Sequence, residues 1–204
     1  MYDSNHSPYE TYCDFESEPP YVWTLIESLS LEEAQKTDNQ NSFYIDHGLS
    51  QCRMTWSKFR VSIARMNTIK SSYGSTHYRA TCNFDSEEGR GLVNRRDYVR
   101  GGLCNNNIFF ASNGHGCRTV EYINIRGQMC RRCSVSFKVS TSIHLHIGLP
   151  QTISSCSNTA FNDTIANENV FGHYTSPNPL FSCAANQNST TNWWVGGAWI
   201  TEAF

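Results

Sequence analysis

This sequence predicts a single β-rich α+β domain braced by disulfides, and three observations point there. Several segments alternate apolar and polar residues with a period of two; the clearest is "SVSFKVSTSIHLHIG", Ser134 to Gly148, where Val135, Phe137, Val139, Ile143, Leu145 and Ile147 all occupy odd positions. Nine cysteines, at 13, 52, 82, 104, 117, 130, 133, 156 and 183, are spread along the chain rather than bunched, as in a disulfide framework. The length of 204 residues, 39% of them hydrophobic, suffices for one domain with a core and is short for two. With no internal repeat and no linker, residues 1–204 read as one domain.

Element by element, "YVWTLIE" (Tyr21 to Glu27) follows Pro19 and Pro20 and is rich in β-branched and aromatic residues, which predicts a strand. Ser30 with Glu33 forms a capping box that opens a short helix carrying Leu31 and Ala34. In "WSKFRVSIARM" (Trp56 to Met66) the alternation of Phe59, Val61 and Ile63 favours a strand, and "SSYGST" then makes a turn. "HYRATCNF" (His77 to Phe84) is a further strand, with Tyr78, Ala80, Cys82 and Phe84 on one face. From Asp85 to Gly102 the chain reads as a loop with four glycines and four arginines. "CRTVEYINIRG" (Cys117 to Gly127) alternates again, and Ser134 to Gly148 makes a long strand or a hairpin. Gly148 to Asn192 is rich in Asn, Ser, Thr and Pro and reads as irregular; "NWWVGGAWI" closes the chain with three tryptophans.

Composition narrows the setting. Charged residues are only 17% of the chain, below the usual quarter, and the polarity comes from Asn, Ser and Thr. A net charge of −2 argues against a partner bound through nucleic-acid phosphates. No apolar run approaches the ~18 residues of a membrane span. Sequons at Asn5, Asn162 and Asn188 join the cysteines in pointing to a secreted, N-glycosylated protein. The opening "MYDSNHSPYE" has neither the basic nor the apolar region of a signal peptide, so the expectation is that the domain's N-terminal start is missing.

Several constellations suggest chemistry, each with a plainer reading that the sequence favours. Cys130 and Cys133 in "MCRRCS" have the spacing of a redox pair beside Arg131 and Arg132, or of half a zinc site. No second Cys-X-X-Cys completes a zinc set and the motif lies between strand-like segments, so a structural disulfide is expected. His144 and His146 share a strand face and could share a metal, yet Ser136, Lys138, Ser140 and Ser142 on that face predict a solvated surface. Arg90, Arg95, Arg96 and Arg100 around Tyr98 could grip RNA or sulfated glycans; Glu87, Glu88 and Asp97 dilute the charge, and a solvated loop is expected. The adjacent pairs Glu32–Glu33 and Glu87–Glu88 do not make a glycosidase site, and no nucleophile elbow, phosphate loop or dinucleotide fingerprint is present.

The stretch "YCDFESEPPYVWTLIES" resembles the early part of a fibrinogen C-terminal-like domain, through Tyr12, Cys13, Asp14, Trp23, Thr24, Leu25 and Ile26. "WSKFRVSIARMNTIKSSYGSTHYRATCNF" is similar to that family's next block. "RATCNFD", "VEYINIRG" and "WWVGG" are similar to pieces of the divergent fibrinogen-like domains of corals and sea anemones, so the likeness runs in patches from Pro8 to Gly197. The resemblance implies a single fibrinogen-like domain. It also implies that Cys13 pairs with a cysteine upstream of this chain, leaving Cys13 unpaired here. Cys52, Cys82, Cys104, Cys117, Cys130, Cys133, Cys156 and Cys183 can then form four internal bridges; eight cysteines allow about 105 connectivities, among which Cys104–Cys117 and Cys156–Cys183 are the favoured close pairs. The family's calcium loop is acid-rich, whereas residues 158–185 here offer only Asp163 and Glu168, so no metal or other cofactor is expected.

The expected function is a non-catalytic structural or assembly role outside the cell, with matrix components or glycans as partners and an oligomer allowed by the unpaired cysteine. Relatives in stony corals suggest the organic matrix of a mineralised skeleton, although the dense acidic runs of mineral-binding proteins are absent from this sequence. The alternative is a lectin-like defence module. An extracellular enzyme would be a third class, with no residue marked for it.

Overall fold

The computed structural model describes residues 1, 8–72, 74–87, 97–109, 114–140, 143–149 and 168–199. Among them run strands β1 (Cys13–Asp14), β2 (Tyr21–Ser30), β3 (Lys58–Arg60), β4 (His77–Cys82), β5 (Tyr98–Gly102), β6 (Gly114–Ile125), β7 (Gln128–Ser140), β8 (Ile143–Gly148), β9 (Val170–Phe171) and β10 (Thr190–Ala198), with helices α1 (Leu31–Ala34), α2 (Ile63–Ser71) and α3 (Phe84–Glu87). All ten strands form one sheet in the order β1-β2-β10-β4-β5-β6-β7-β8-β9, with β3 added beside β2, and every pairing is antiparallel. The β-rich expectation therefore holds.

The local signals act where chemistry demands. The Ser30 hydroxyl accepts from the Glu33 amide at 3.3 Å and starts α1 as β2 ends. Residues 56–66 are a correction: only Lys58 to Arg60 pair as a strand, and Ile63 begins a helix. The overlooked signal is Ser62, whose hydroxyl accepts from the Arg65 amide at 3.4 Å, followed by Met66 and Ile69 buried three residues apart. A second correction lies within 85–102, where Tyr98–Gly102 pairs with both β4 and β6 as a strand. Ser134 to Gly148 resolves into the β7–β8 hairpin. Between β6 and β7, Arg126 at φ 53° and Gly127 at φ 84° form the left-handed turn that suits a tight hairpin, held by Asp97 Oδ1 accepting from the Arg126 amide at 2.6 Å.

The C-terminal strand β10 occupies the middle of the sheet, between β2 and β4. Its adjacent Trp193 and Trp194 are both fully buried, and neighbouring strand residues face opposite ways, so the sheet is covered on both faces. Gly196 is required there, because a Cβ at that position would strike the Val22 carbonyl of β2.

Arg79 of β4 anchors one face. It is wholly buried, with its guanidinium carbon 4.8 Å from the Trp23 ring centroid and 4.6 Å from that of Trp194. Nη2 donates to Asp14 Oδ2 at 2.6 Å, and Nη1 donates to Ser17 Oγ at 3.1 Å and Glu18 Oε2 at 3.4 Å. The disulfide Cys82–Cys183 adds a covalent tie across a sequence separation of 101; closing a loop that long contributes about 4–5 kcal/mol in the chain-entropy description.

Replacing Arg79 by Leu removes the charge that Asp14 and Glu18 face, and should lower unfolding stability by about 3–5 kcal/mol. Urea denaturation at neutral pH checks this; a loss below about 1 kcal/mol would show that the node is dispensable.

Candidate functional site

Most charged residues in the described interior serve the fold. The even face of β7 and β8, expected to be solvated, is buried: Ser136, Lys138, His144 and His146 are each under 8% exposed. Over His144 the reason is a second covering layer. Phe43, in the loop after α1, packs edge-on against the His144 ring at 4.8 Å. Arg60 secures that loop by donating to the carbonyls of Asn41 and Ser42, both at 2.7 Å, and of Ile45 at 3.2 Å. Arg60 Nη1 also reaches Glu27 Oε2 at 3.1 Å, and His144 Nε2 lies 2.8 Å from Glu27 Oε1.

Burial pushes the Glu27 carboxyl upward, but the His144 and Arg60 contacts outweigh it and hold the group below its ordinary range. Asp14 behaves alike: burial raises it, while the Ser17 hydrogen bonds and the Arg79 charge bring it below its usual value. Neither carboxyl is poised as a general acid.

Of the arginine-rich stretch, Arg90, Arg95 and Arg96 lie outside the described residues, as does Glu88. Arg100 and Tyr98 are not in a solvated loop but form part of a polar cluster on β5. Arg100 pairs with Glu18 and donates through Nε to Glu121 Oε2 at 3.1 Å, while its guanidinium covers the Tyr21 ring at 4.4 Å. The Tyr98 hydroxyl donates to Glu18 at 2.8 Å, and burial with that carboxylate raises its pKa well above the ordinary value. Glu33 bonds Lys36 and Lys58 on the surface, and Glu32 lies beside Lys36. Glu168 accepts from the amides of Thr175 and Ser176 and so ties a loop. Among the described residues no three or more His, Cys, Asp or Glu side chains gather as a metal site would need.

The cysteines sort differently from the expected pairing. Cys82 joins Cys183, Cys130 joins Cys133, and Cys117 is also disulfide-bonded. Cys104–Cys117 and Cys156–Cys183 are thus corrected. Cys13, Cys52 and Cys104 carry free thiols. Cys52 and Cys104, expected in bridges, are exposed in turns outside the sheet, whereas β4 brings Cys82 directly to the buried Cys183. Asn5, Asn162 and Cys156 lie outside the described residues. Asn188 is exposed in the turn before β10.

A cavity of about 630 Å³ opens between α2, the turn after β5, and strands β6 to β8. Its floor is apolar, from Leu103, Ile108, Phe137, Val139 and Leu145. Its rim is polar, from Lys70, Asn105, Asn107 and Arg118, with the Cys104 thiol beside them. Lys70 Nζ stands 5.9 Å above the Phe109 ring. Asn106 is structural, donating to the Thr119 carbonyl at 2.6 Å and fixing the turn that presents its two neighbours. An apolar floor under a rim of amides and cations has the make-up of a small-molecule site. The run "CNNN" at 104–107 was the available signal, but it has no periodicity that sequence reasoning could use.

No family model matches the chain, and neither does any curated protein or solved structure.

Acid should act through Glu27 and Asp14. Because folding lowers both carboxyls, their contribution is full above the ordinary carboxyl range and is lost as pH falls from there through the folded values. Stability should therefore hold from pH 7 to about 5 and decline below about 4.5. Urea midpoints across this range should show a shallower acid slope for Glu27→Gln than for the parent; equal slopes would refute the assignment.

Proposed function

We propose that this chain is a secreted, non-catalytic domain of fibrinogen-like type with a structural or assembly role outside the cell. The observation that carries this reading is the buried Cys82–Cys183 disulfide, which ties β4 to the segment before β10 and needs an oxidising compartment to form and persist. Three further features support it. Asn188, the sequon in described structure, is exposed where a glycan meets solvent. Buried carboxylates and guanidinia are engaged with one another inside the fold. Exposed thiols offer attachment to other molecules. The organic matrix of a mineralised skeleton is one setting that the motif resemblance suggests.

The cavity favours a second reading, glycan recognition. Amide groups at Asn105 and Asn107 can take up sugar hydroxyls, and Lys70 and Arg118 favour a saccharide that carries negative charge.

Secretion from eukaryotic cells behind an added signal sequence should give a protein whose gel mobility increases on peptide-N-glycosidase treatment, with Asn188 among the modified sites. An unmodified Asn188 peptide in the secreted protein would remove that support. Localisation in the source tissue should find the chain in insoluble extracellular material; a protein confined to the cytosol would overturn the proposal. On a glycan array, saturable binding of acidic saccharides that falls at least about tenfold in Arg118→Ala would favour recognition over a purely structural role, since one lost charge-assisted contact is worth roughly 1.5–3 kcal/mol. No binding to any saccharide would leave the structural role.

A further inference from the structure

The two fully described disulfides differ in kind. Cys82–Cys183 is buried and closes a long loop; Cys130–Cys133 is partly accessible and joins residues three apart on one strand, β7. Such a short loop constrains the unfolded chain far less. It also forces the strand. Side chains three apart in a regular strand point to opposite faces, and their Cα atoms lie about 10 Å apart, beyond disulfide reach. Those of Cys130 and Cys133 are 6.1 Å apart, and between them Arg132 sits at φ 48°, a left-handed conformation that a side chain of its size rarely adopts. The exposed Arg131 and Arg132 place two positive charges beside the bond, which favours approach of a thiolate and departure of another.

Cys52 is an exposed free thiol in a turn outside the sheet. It precedes β3, and the order β3-β2-β10-β4-β5-β6-β7 puts six strand spacings, roughly 29 Å along the sheet, between that edge and β7. The thiol cannot meet this disulfide within one chain.

We propose that Cys130–Cys133 is an exchangeable disulfide, opened by Cys52 of a second copy to link the chains covalently. This rests on the extracellular assembly role proposed above. The Cys52 thiolate attacks one sulfur of Cys130–Cys133. A new bond forms between chains as the old one breaks, and the other cysteine leaves as a thiolate that takes up the proton Cys52 lost. One disulfide and one thiol are consumed and one of each is produced, so no oxidant is required. Release lets Arg132 return to an extended conformation and carries the leaving cysteine away from its former partner, which opposes reclosure. The contact is heterologous, since each copy offers its thiol at one place and its disulfide at another, so linkage propagates into open chains.

The test incubates the folded, purified protein without oxygen or any added oxidant. A ladder of dimers and higher species should appear on non-reducing gels and collapse with reductant, while the total thiol titre stays constant. Peptide mapping should find Cys52 joined to Cys130 or Cys133. Cys52→Ser and the double variant Cys130→Ser/Cys133→Ser should each lose at least about tenfold in linkage rate when incubated alone. Mixed together, the two should give dimers and nothing larger. Cys104→Ser should retain the ladder. Alkylating the free thiols of the folded parent should abolish it, which covers a double variant that fails to fold. A parent that stays monomeric, a ladder that persists in either cysteine variant, or a falling thiol titre would overturn the proposal, and none of these outcomes bears on where the protein is located.

Discussion

Arg79 is buried between two tryptophans, and the arrangement of that half of the sheet follows from keeping its charge satisfied. A guanidinium with no solvent must find acceptors in the right plane, and here they come from Asp14, Ser17 and Glu18 at the start of the chain. Trp23 from β2 and Trp194 from β10 supply the aromatic faces. Three stretches far apart in sequence, 14–23, 79 and 194, therefore have one geometry in which all are satisfied together. The placement of the last strand between β2 and β4 belongs to the same constraint, because Trp194 must reach the guanidinium from the centre of the sheet.

The opposite face carries a second buried charge group, Glu27 with Arg60 and His144. Arg60 differs from Arg79 in having mostly backbone acceptors, and so fixes a loop rather than a strand. That loop lays Phe43 over His144 and Trp193 and covers the second face of the sheet there. Two-sided burial explains why polar side chains on β7 and β8 are interior. It also leaves the chemically adaptable groups at the periphery, where the 630 Å³ cavity, the exposed thiols and the Cys130–Cys133 bond lie.

Interior charges are committed to shape, and the peripheral groups can meet other molecules without disturbing it. The disulfide and the cavity occupy separate parts of β7: the disulfide lies near its start, at 130 and 133, while the cavity floor uses Phe137 and Val139.

The sequence by itself determined the local elements and their chemistry. The alternation in 117–127 and 134–148 specified strands, because period-two burial has one regular solution, and Ser30 with Glu33 specified a cap. The even spread of cysteines indicated a disulfide-braced chain. Tertiary structure decided what depends on a second surface. Whether His144 meets solvent turned on a loop some hundred residues away, and a single strand's pattern cannot register its own cover. Helix α2 was hidden because Phe59, Val61 and Ile63 alternate across the junction of a short strand with a helix. Cysteine pairing was decided by the neighbours that the sheet order brings together, and the cavity by the meeting of five elements with no shared motif. In each case the deciding quantity is a distance through space, which spacing along the chain does not encode.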